Sequence, residues 1–254
     1  MPPPASCPAP GVVAVYYAGV DVLDRDPDAR ARAEAWLTRE DRTRAARFRA
    51  DADRRMFILG RVMARALVGA ALGVAPGAWT WRDAPRGRPE IAAPATPLQF
   101  NLSHSAGLVA CALATGRAVG IDVEHLGRRP VDRQLVRRYC SAAEADDIDA
   151  CGDAWQQRFL RYWTLKEAYL KARGLGVSVP LAEIEFGEVA GDTHAAPRAS
   201  IRIAFHGSLA GTDDRWTFAL RQPTGDHILA VAADACDGGP VSIDLRPMPV
   251  ELLP

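Results

Sequence analysis

The sequence predicts an α+β protein built from two similar halves. Helical patterns are followed by strand patterns twice along the 254 residues. Short segments of the two halves are similar in sequence: LVGAALGV at 67–74 resembles LKARGLGV at 170–177, and LVACALA at 108–114 resembles ILAVAAD at 228–234. We therefore expect two pseudo-symmetric halves that divide near residues 115–118, with the active site in the cleft where they meet.

The composition is that of a soluble globular protein, with 48% hydrophobic and 24% charged residues. The 31 basic residues balance the 31 acidic ones, which argues against binding to nucleic acid through bulk charge. No apolar run is long enough to span a bilayer, and the MPPPASCPAP start lacks the features of a secretory signal. The five cysteines show no CxxC pairing. We expect a cytoplasmic protein that binds neither nucleic acid nor membrane.

The first half is predicted to cover residues 11–117, after a disordered, Pro-rich lead-in at 1–10. Pro76 cannot continue a helix, so the second helix must end before it. A polar segment, Ser103–Gly107, should form the turn between the last two strands. The predicted elements are a strand at 12–17, a helix over 27–49 that buries Phe48, a helix over 52–72, and strands at 79–81, 98–102 and 108–114.

The second half is predicted to cover residues 118–236. Gly174 and Gly176 should end its long helix. The predicted elements are a strand at 118–123, helices over 131–150 and 155–173, and strands at 184–186, 201–205, 216–220 and 228–232. Residues 237–254 are Pro-rich, and we expect a loosely attached tail there.

Two carboxylates stand in the strand pattern VGIDVE. Alternate side chains of a strand share a face, so Asp122 and Glu124 should point the same way. Neighbouring carboxylates repel one another unless a cation or a proton lies between them, and hard oxygen ligands suit magnesium. A solvated strand edge would give the same pattern, and for an Asp-x-Glu alone that is the commoner explanation.

The helical segment WTLKEAYLK contains the only two lysines of the chain, Lys166 and Lys171. Glu167 and Lys171 are four residues apart and share a helix face, whereas Lys166 lies on another face. An ordinary surface salt bridge is the alternative explanation of this spacing.

Polar and basic residues supply two further candidate contacts. The segment FNLSHSAG could hold an anion through hydroxyls, an imidazole and backbone N–H groups, although simple turn chemistry explains it too. A serine hydrolase is disfavoured because the GxSxG elbow is missing. Arginine forks match phosphate oxygens, and the chain has Arg42, Arg44, Arg47, Arg49, Arg54, Arg55 and Arg61 in its helices and Arg86 and Arg88 in a loop.

These pieces, in this order, resemble the Sfp-type 4'-phosphopantetheinyl transferases over about residues 40 to 232. The matching segments are GRPEI, FNLSHSAGLVACAL, VGIDVE and FLRYWTLKEAYLKARGLGV. The family signature is a G-[IV]-D-x-E strand followed by W-x-x-K-E-[AS]-x-x-K. Its anchor residues are all present: Gly120, Asp122, Glu124, Trp163, Lys166, Glu167 and Lys171.

The resemblance implies a role for each matching residue. Asp122, Glu124 and Glu167 would hold Mg²⁺, and Asp122, Glu167 and Lys171 would be the catalytic residues. Coenzyme A would be contacted by Arg47, Arg55, Arg86, Arg88, Ser103, His104 and Lys171, with His104 near the 3'-phosphate. Glu144, in an S-x-x-E segment, would be a candidate for assisting catalysis or metal binding.

The implied reaction transfers the 4'-phosphopantetheine group of coenzyme A to a serine of an acyl, peptidyl or aryl carrier protein. It releases 3',5'-ADP and serves fatty-acid, polyketide or nonribosomal-peptide biosynthesis. Two halves in one chain favour a monomer. The same carboxylates could serve a magnesium-dependent phosphodiesterase or nucleotidase that uses water, and a scaffold that binds coenzyme A or carrier proteins without transfer is a non-enzymatic alternative.

Overall fold

A computed structural model describes residues 6–83, 89–127, 131–176, 179–187, 201–212, 215–235 and 241–254. Its contacts divide the chain into two compact units. Unit 1 comprises residues 1–117 together with 242–254, and unit 2 comprises residues 118–241. Both units combine helices with antiparallel strands, so the predicted α+β class is confirmed. Within the described ranges, no helix combines the length and apolar character that a bilayer crossing requires.

Unit 1 is built on a four-stranded sheet with the order β11-β1-β5-β4. A 22-residue helix, α3 (Asp51–Leu72), packs its apolar face on this sheet and buries Ile58, Leu59 and Met63 completely. It ends at Gly73, whose φ of 69° is a left-handed conformation that glycine adopts without strain. The strands are β1 (Val12–Gly19), β4 (Leu98–Ser105), β5 (Leu108–Thr115) and β11 (Ser242–Pro247).

The predicted helix over 27–49 is wrong, because the chain forms two short helices there, α1 (Ala29–Ala35) and α2 (Arg39–Ala45). A capping box separates them: the Asp41 backbone N–H donates to the Thr38 hydroxyl, and the Thr38 backbone N–H donates to the Asp41 carboxylate. Phe48, expected to be buried in this helix, lies beyond its end and is 37% exposed. A hairpin of β2 (Thr80–Asp83) and β3 (Pro89–Ala93) completes the unit.

Unit 2 is built on a three-stranded antiparallel sheet with the order β6-β10-β9. A 19-residue helix, α6 (Trp155–Arg173), packs on one face of β6 and β10 and ends at Gly174, as the sequence predicts. The other elements are α4 (Gln134–Tyr139), α5 (Ala142–Ala150) and a small β7 (Ile184–Phe186) and β8 (Ile203–Phe205) sheet, and the main strands are β6 (Val119–His125), β9 (Trp216–Thr224) and β10 (His227–Asp234).

Two predictions for the second half need correction. The helix expected over 131–150 is interrupted at Ser141, which caps α5 through a reciprocal pair of hydrogen bonds with Glu144. The tail expected to be loosely attached instead contributes β11, which pairs parallel with β1 in unit 1. Met248, directly after β11, is only 5% exposed in the core of unit 1.

Candidate active site

One face of β6 carries both carboxylates of the VGIDVE segment. Because side chains alternate along a strand, Gly120, Asp122 and Glu124 share the face that lies against α6. A Cβ atom on Gly120 would lie 2.1 Å from the Ala168 carbonyl oxygen and 2.4 Å from the Ala172 nitrogen. Glycine therefore lets the backbone of α6 approach β6 directly, beside the two carboxylates.

A stripe of three α6 side chains runs along this face of β6. Trp163, Glu167 and Lys171 are four residues apart, so they lie on one side of the helix. The Trp163 indole N–H donates to Glu124 Oε1 at 3.2 Å, and Lys171 Nζ lies 2.6 Å from Asp122 Oδ1. Side chains of α6 therefore contact both strand carboxylates. Along the helix, Glu167 lies between Trp163 and Lys171.

The Glu167 carboxylate lies among the other charged side chains of this group. Burial raises the pKa of Glu167, the carboxylates of Asp122 and Glu124 raise it further, and the Lys171 ammonium opposes the shift. Its Oε1 atom is buried and finds no hydrogen-bond donor in the described part of the chain. The structure therefore brings Asp122, Glu124, Glu167 and Lys171 into one electrostatic group.

The alternative interpretations of these residues from sequence are wrong. Asp122 is only 6% exposed, so it does not lie on a solvated strand edge. Lys171 is paired with the buried carboxylate of Asp122, which is not a surface helix salt bridge. A buried carboxylate needs such a partner, because desolvation of an unpaired charge is costly.

The donor set of the group is made of oxygen atoms, which fits Mg²⁺. The buried Glu167 Oε1 atom, without a donor, is the kind of oxygen that a cation could satisfy. As the side chains stand, however, no three His, Cys, Asp or Glu residues in the described ranges form a ready metal-binding group. Asp122 contacts Lys171 through its Oδ1 atom, and Glu124 contacts Trp163 through its Oε1 atom, so each of these contacts uses one of the two carboxylate oxygens.

Lys166 and Glu144 form a separate pair inside unit 2. Lys166 Nζ lies 2.5 Å from Glu144 Oε2 and donates to the carbonyl oxygens of Tyr139, Leu181 and Ile184. Glu144 is 1% exposed, and it also accepts from the Ser141 and Phe186 backbone N–H groups. Burial raises the pKa of Glu144, and the Lys166 ammonium opposes that shift. These contacts are structural, and a part for Glu144 in catalysis or metal binding stays a prediction from the resemblance.

Ser103 and His104 lie in unit 1, at the end of β4. They belong to the strand, because the connection to β5 is a two-residue turn at Ala106 and Gly107 with φ angles of 40° and 88°. The broader turn predicted at Ser103–Gly107 is therefore wrong. Ser103 is buried and His104 is exposed, and adjacent strand residues point to opposite faces.

The arginines that were predicted to contact coenzyme A have different surroundings in the structure. Arg55 is paired with Asp24 and donates to the Val20 carbonyl oxygen, so it ties α3 to the segment after β1. Arg47 is exposed and lines a cavity of about 500 Å³ in unit 1. The other lining residues are Glu40, Thr43, Arg44 and Phe48. Arg86 and Arg88 lie outside the described residues.

Sequence reasoning understated two residues. Arg44, noted only as one of several arginines, lines the cavity with Arg47. Trp163 was noted only as a motif anchor, although its spacing of four from Glu167 places it in the same stripe.

Two family models match most of the chain. The model of the 4'-phosphopantetheinyl transferase superfamily matches residues 118–232. The model of the 4'-phosphopantetheinyl transferase N-terminal region matches residues 27–116.

Named relatives agree with these models. The chain is 39% identical over 154 residues to 4'-phosphopantetheinyl transferase HetI of Nostoc sp., covering 59% of this chain and 65% of the relative. It is 32% identical over 226 residues to a phosphopantetheinyl transferase of Thraustochytrium sp., covering 82% and 75%. It is 30% identical over 149 residues to a 4'-phosphopantetheinyl transferase of Bacillus subtilis, covering 58% and 64%. By its motifs, its site and these similarities, the chain belongs to the 4'-phosphopantetheinyl transferase superfamily.

Proposed function

We propose that this protein transfers the 4'-phosphopantetheine group of coenzyme A to a serine of a carrier protein. The serine Oγ attacks the β-phosphorus of the pyrophosphate, the bond from that phosphorus to the bridging oxygen breaks, and 3',5'-ADP leaves. Family membership supports the reaction class. The observation that carries the proposal is the Glu167 carboxylate, with its buried Oε1 atom, beside Asp122 and Lys171.

Glu167 is proposed to accept the serine proton. It lies beside Asp122 and Lys171, and proton transfer to a positioned base is a common source of rate enhancement. Lys171 is proposed to contact the pyrophosphate, where its ammonium would offset negative charge that develops on the leaving oxygen. Lys171 already lies beside the strand carboxylates, so it needs no large movement to reach a ligand there.

Asp122, Glu124 and Glu167 are the residues proposed to hold Mg²⁺. When bound, the ion would neutralise charge on the pyrophosphate oxygens. The support is the chemistry of the donors and the buried Glu167 oxygen described above.

The nucleotide end of coenzyme A is proposed to contact unit 1. The cavity beside α2 offers two guanidinium groups, Arg44 and Arg47, and the exposed ring of Phe48. Guanidinium groups suit phosphate oxygens and an aromatic ring suits a base. Contacts from Ser103 and His104, and binding of coenzyme A between the two halves, stay predictions from the resemblance.

The test is an assay of intact carrier mass with coenzyme A and a panel of acyl, peptidyl and aryl carrier proteins. We expect a carrier to gain the mass of one phosphopantetheine group, and EDTA to abolish the gain. Glu167→Gln keeps the side-chain shape and should lower kcat roughly 10²–10⁴-fold, the usual contribution of a general base. Asp146→Asn, at an exposed carboxylate of the same unit, is the control.

Two outcomes would contradict the proposal. Consumption of coenzyme A without modification of any carrier would indicate a hydrolase. Near-normal transfer by Glu167→Gln would show that the residue roles are misassigned.

A further inference from the structure

The proposed function gives no task to Trp163, although its ring is firmly held in unit 2. The ring stacks on Phe159 with an interplanar angle of 27° and a centroid distance of 6.1 Å. It meets Tyr139 edge to face at 5.2 Å. A ring packed on two other rings has little freedom to turn, so the direction of its N–H group is fixed.

The N–H group of this ring meets the carboxylate of Glu124. The donor–acceptor distance to Glu124 Oε1 is 3.2 Å, within the normal range. Glu124 lies near the end of β6, and a glutamate side chain has several rotatable bonds. An indole is a donor only, so Trp163 can orient the carboxylate but cannot itself bind a cation.

The packing behind Trp163 is also fixed. Lys166 donates to the Tyr139 carbonyl oxygen at 2.8 Å, which attaches the end of α4 to α6. Lys166 is in turn paired with the buried Glu144. A continuous set of contacts therefore leads from the buried ion pair through Tyr139 and Trp163 to Glu124.

We infer that Trp163 is a positioning residue that orients Glu124 for a divalent cation. The inference rests on the proposed function, because it takes Glu124 as a metal ligand. Outer partners that orient a ligand raise metal affinity, and their loss typically weakens binding about 10–100-fold.

The test compares Trp163→Phe with the unaltered protein. Phenylalanine keeps an aromatic ring and removes the N–H group. Mn²⁺ binding, followed by electron paramagnetic resonance with and without coenzyme A, should weaken about 10–100-fold. The Mg²⁺ concentration that gives half-maximal transfer should rise by a similar factor, while the KM for coenzyme A at saturating Mg²⁺ should not change.

A control variant and a double variant distinguish the loss of Glu124 orientation from a general loss of structure. Trp155→Phe, at the start of the same helix where the ring faces Arg133, should bind Mn²⁺ normally. In a Glu124→Gln background, Trp163→Phe should add no further loss, because the two residues act through one contact.

The outcomes distinguish the two proposals. If Glu124→Gln weakens Mn²⁺ binding and Trp163→Phe does not, the positioning role is overturned and the proposed function stands. Equal further losses from Trp163→Phe with and without Glu124→Gln would also overturn it. If Glu124→Gln leaves both Mn²⁺ binding and transfer unchanged, the metal set of the proposed function fails, and this inference fails with it.

Discussion

At the scale of single residues, the two lysines of the chain have opposite surroundings. Lys166 is 1% exposed and is surrounded by acceptors, whereas the side chain of Lys171 keeps 30% of its exposure and reaches Asp122 at the strand. Only one of them can reach a ligand, because the other is enclosed by four oxygen atoms. Lys166 therefore has a structural role, and Lys171 is the lysine that the proposed function uses.

Removing the Lys166 ammonium should destabilise the protein strongly. Lys166→Met leaves Glu144 buried without its cation, and breaking such a pair costs about 3–5 kcal/mol. Urea unfolding followed by circular dichroism measures the change. Lys166→Met combined with Glu144→Gln should recover part of the loss, because no unpaired charge remains.

An exposed pair provides the comparison. Arg133 and Asp149 have side chains 55% and 63% exposed, so Arg133→Met should change stability by about 1 kcal/mol at most. Equal unfolding midpoints for the Lys166 and Arg133 variants would show that the buried pair has no special stabilising role.

At the scale of elements, the close packing of α6 on β6 decides the geometry of the site. Gly120 has no side chain, so the backbone of the helix fills the space where a Cβ atom would be. This contact fixes the distance between Asp122 on the strand and Glu167 on the helix. The glycine of the signature is therefore a packing requirement of the carboxylate group.

Gly120→Ala should move α6 away from β6. Overpacking of this kind costs about 1–3 kcal/mol, and transfer activity should fall more than stability because the carboxylates separate. Thermal unfolding and the carrier mass assay measure the two effects. Gly225→Ala, in the turn after β9, meets nothing within 4 Å and should behave normally. A Gly120→Ala protein with full activity would refute this account.

At the scale of the whole molecule, the chain returns to unit 1 after completing unit 2. β11 extends the first sheet beside β1, and the Met248 backbone N–H donates to the Tyr17 carbonyl oxygen at 2.8 Å. Arg25 donates to the carbonyl oxygens of Val250 and Pro254. Residues beyond 241 are therefore part of the structure of unit 1.

Deletion of residues 241–254 should destabilise unit 1 selectively. We expect faster hydrogen exchange in β1 and unchanged exchange in β6 and β10, measured by mass spectrometry of peptides. Deletion of 249–254 alone keeps β11 and Met248, so its effect should be smaller. Unchanged exchange in β1 after the longer deletion would show that β11 contributes little.

The sequence by itself determined the features that depend on local periodicity. Alternation along β6 placed Asp122 and Glu124 on one face, and the spacing of four placed Glu167 and Lys171 together on α6. The long helices α3 and α6 were predicted because apolar residues recur at helical spacing and because Pro76 and Gly174 mark where they must end. The capping boxes at Thr38 and Ser141 can also be recognised from the local sequence. Because they were overlooked, two pairs of separate helices were each predicted as one helix.

Only the tertiary structure decided which partner each polar side chain finds. Glu144 pairs with Lys166, 22 positions away in sequence by their residue numbers, and β11 pairs with a strand at the other end of the chain. Local patterns reach only a few residues, whereas these pairings follow from how distant elements pack. The physical reason is that a buried charge or an unpaired strand edge must be satisfied by whatever the fold brings beside it.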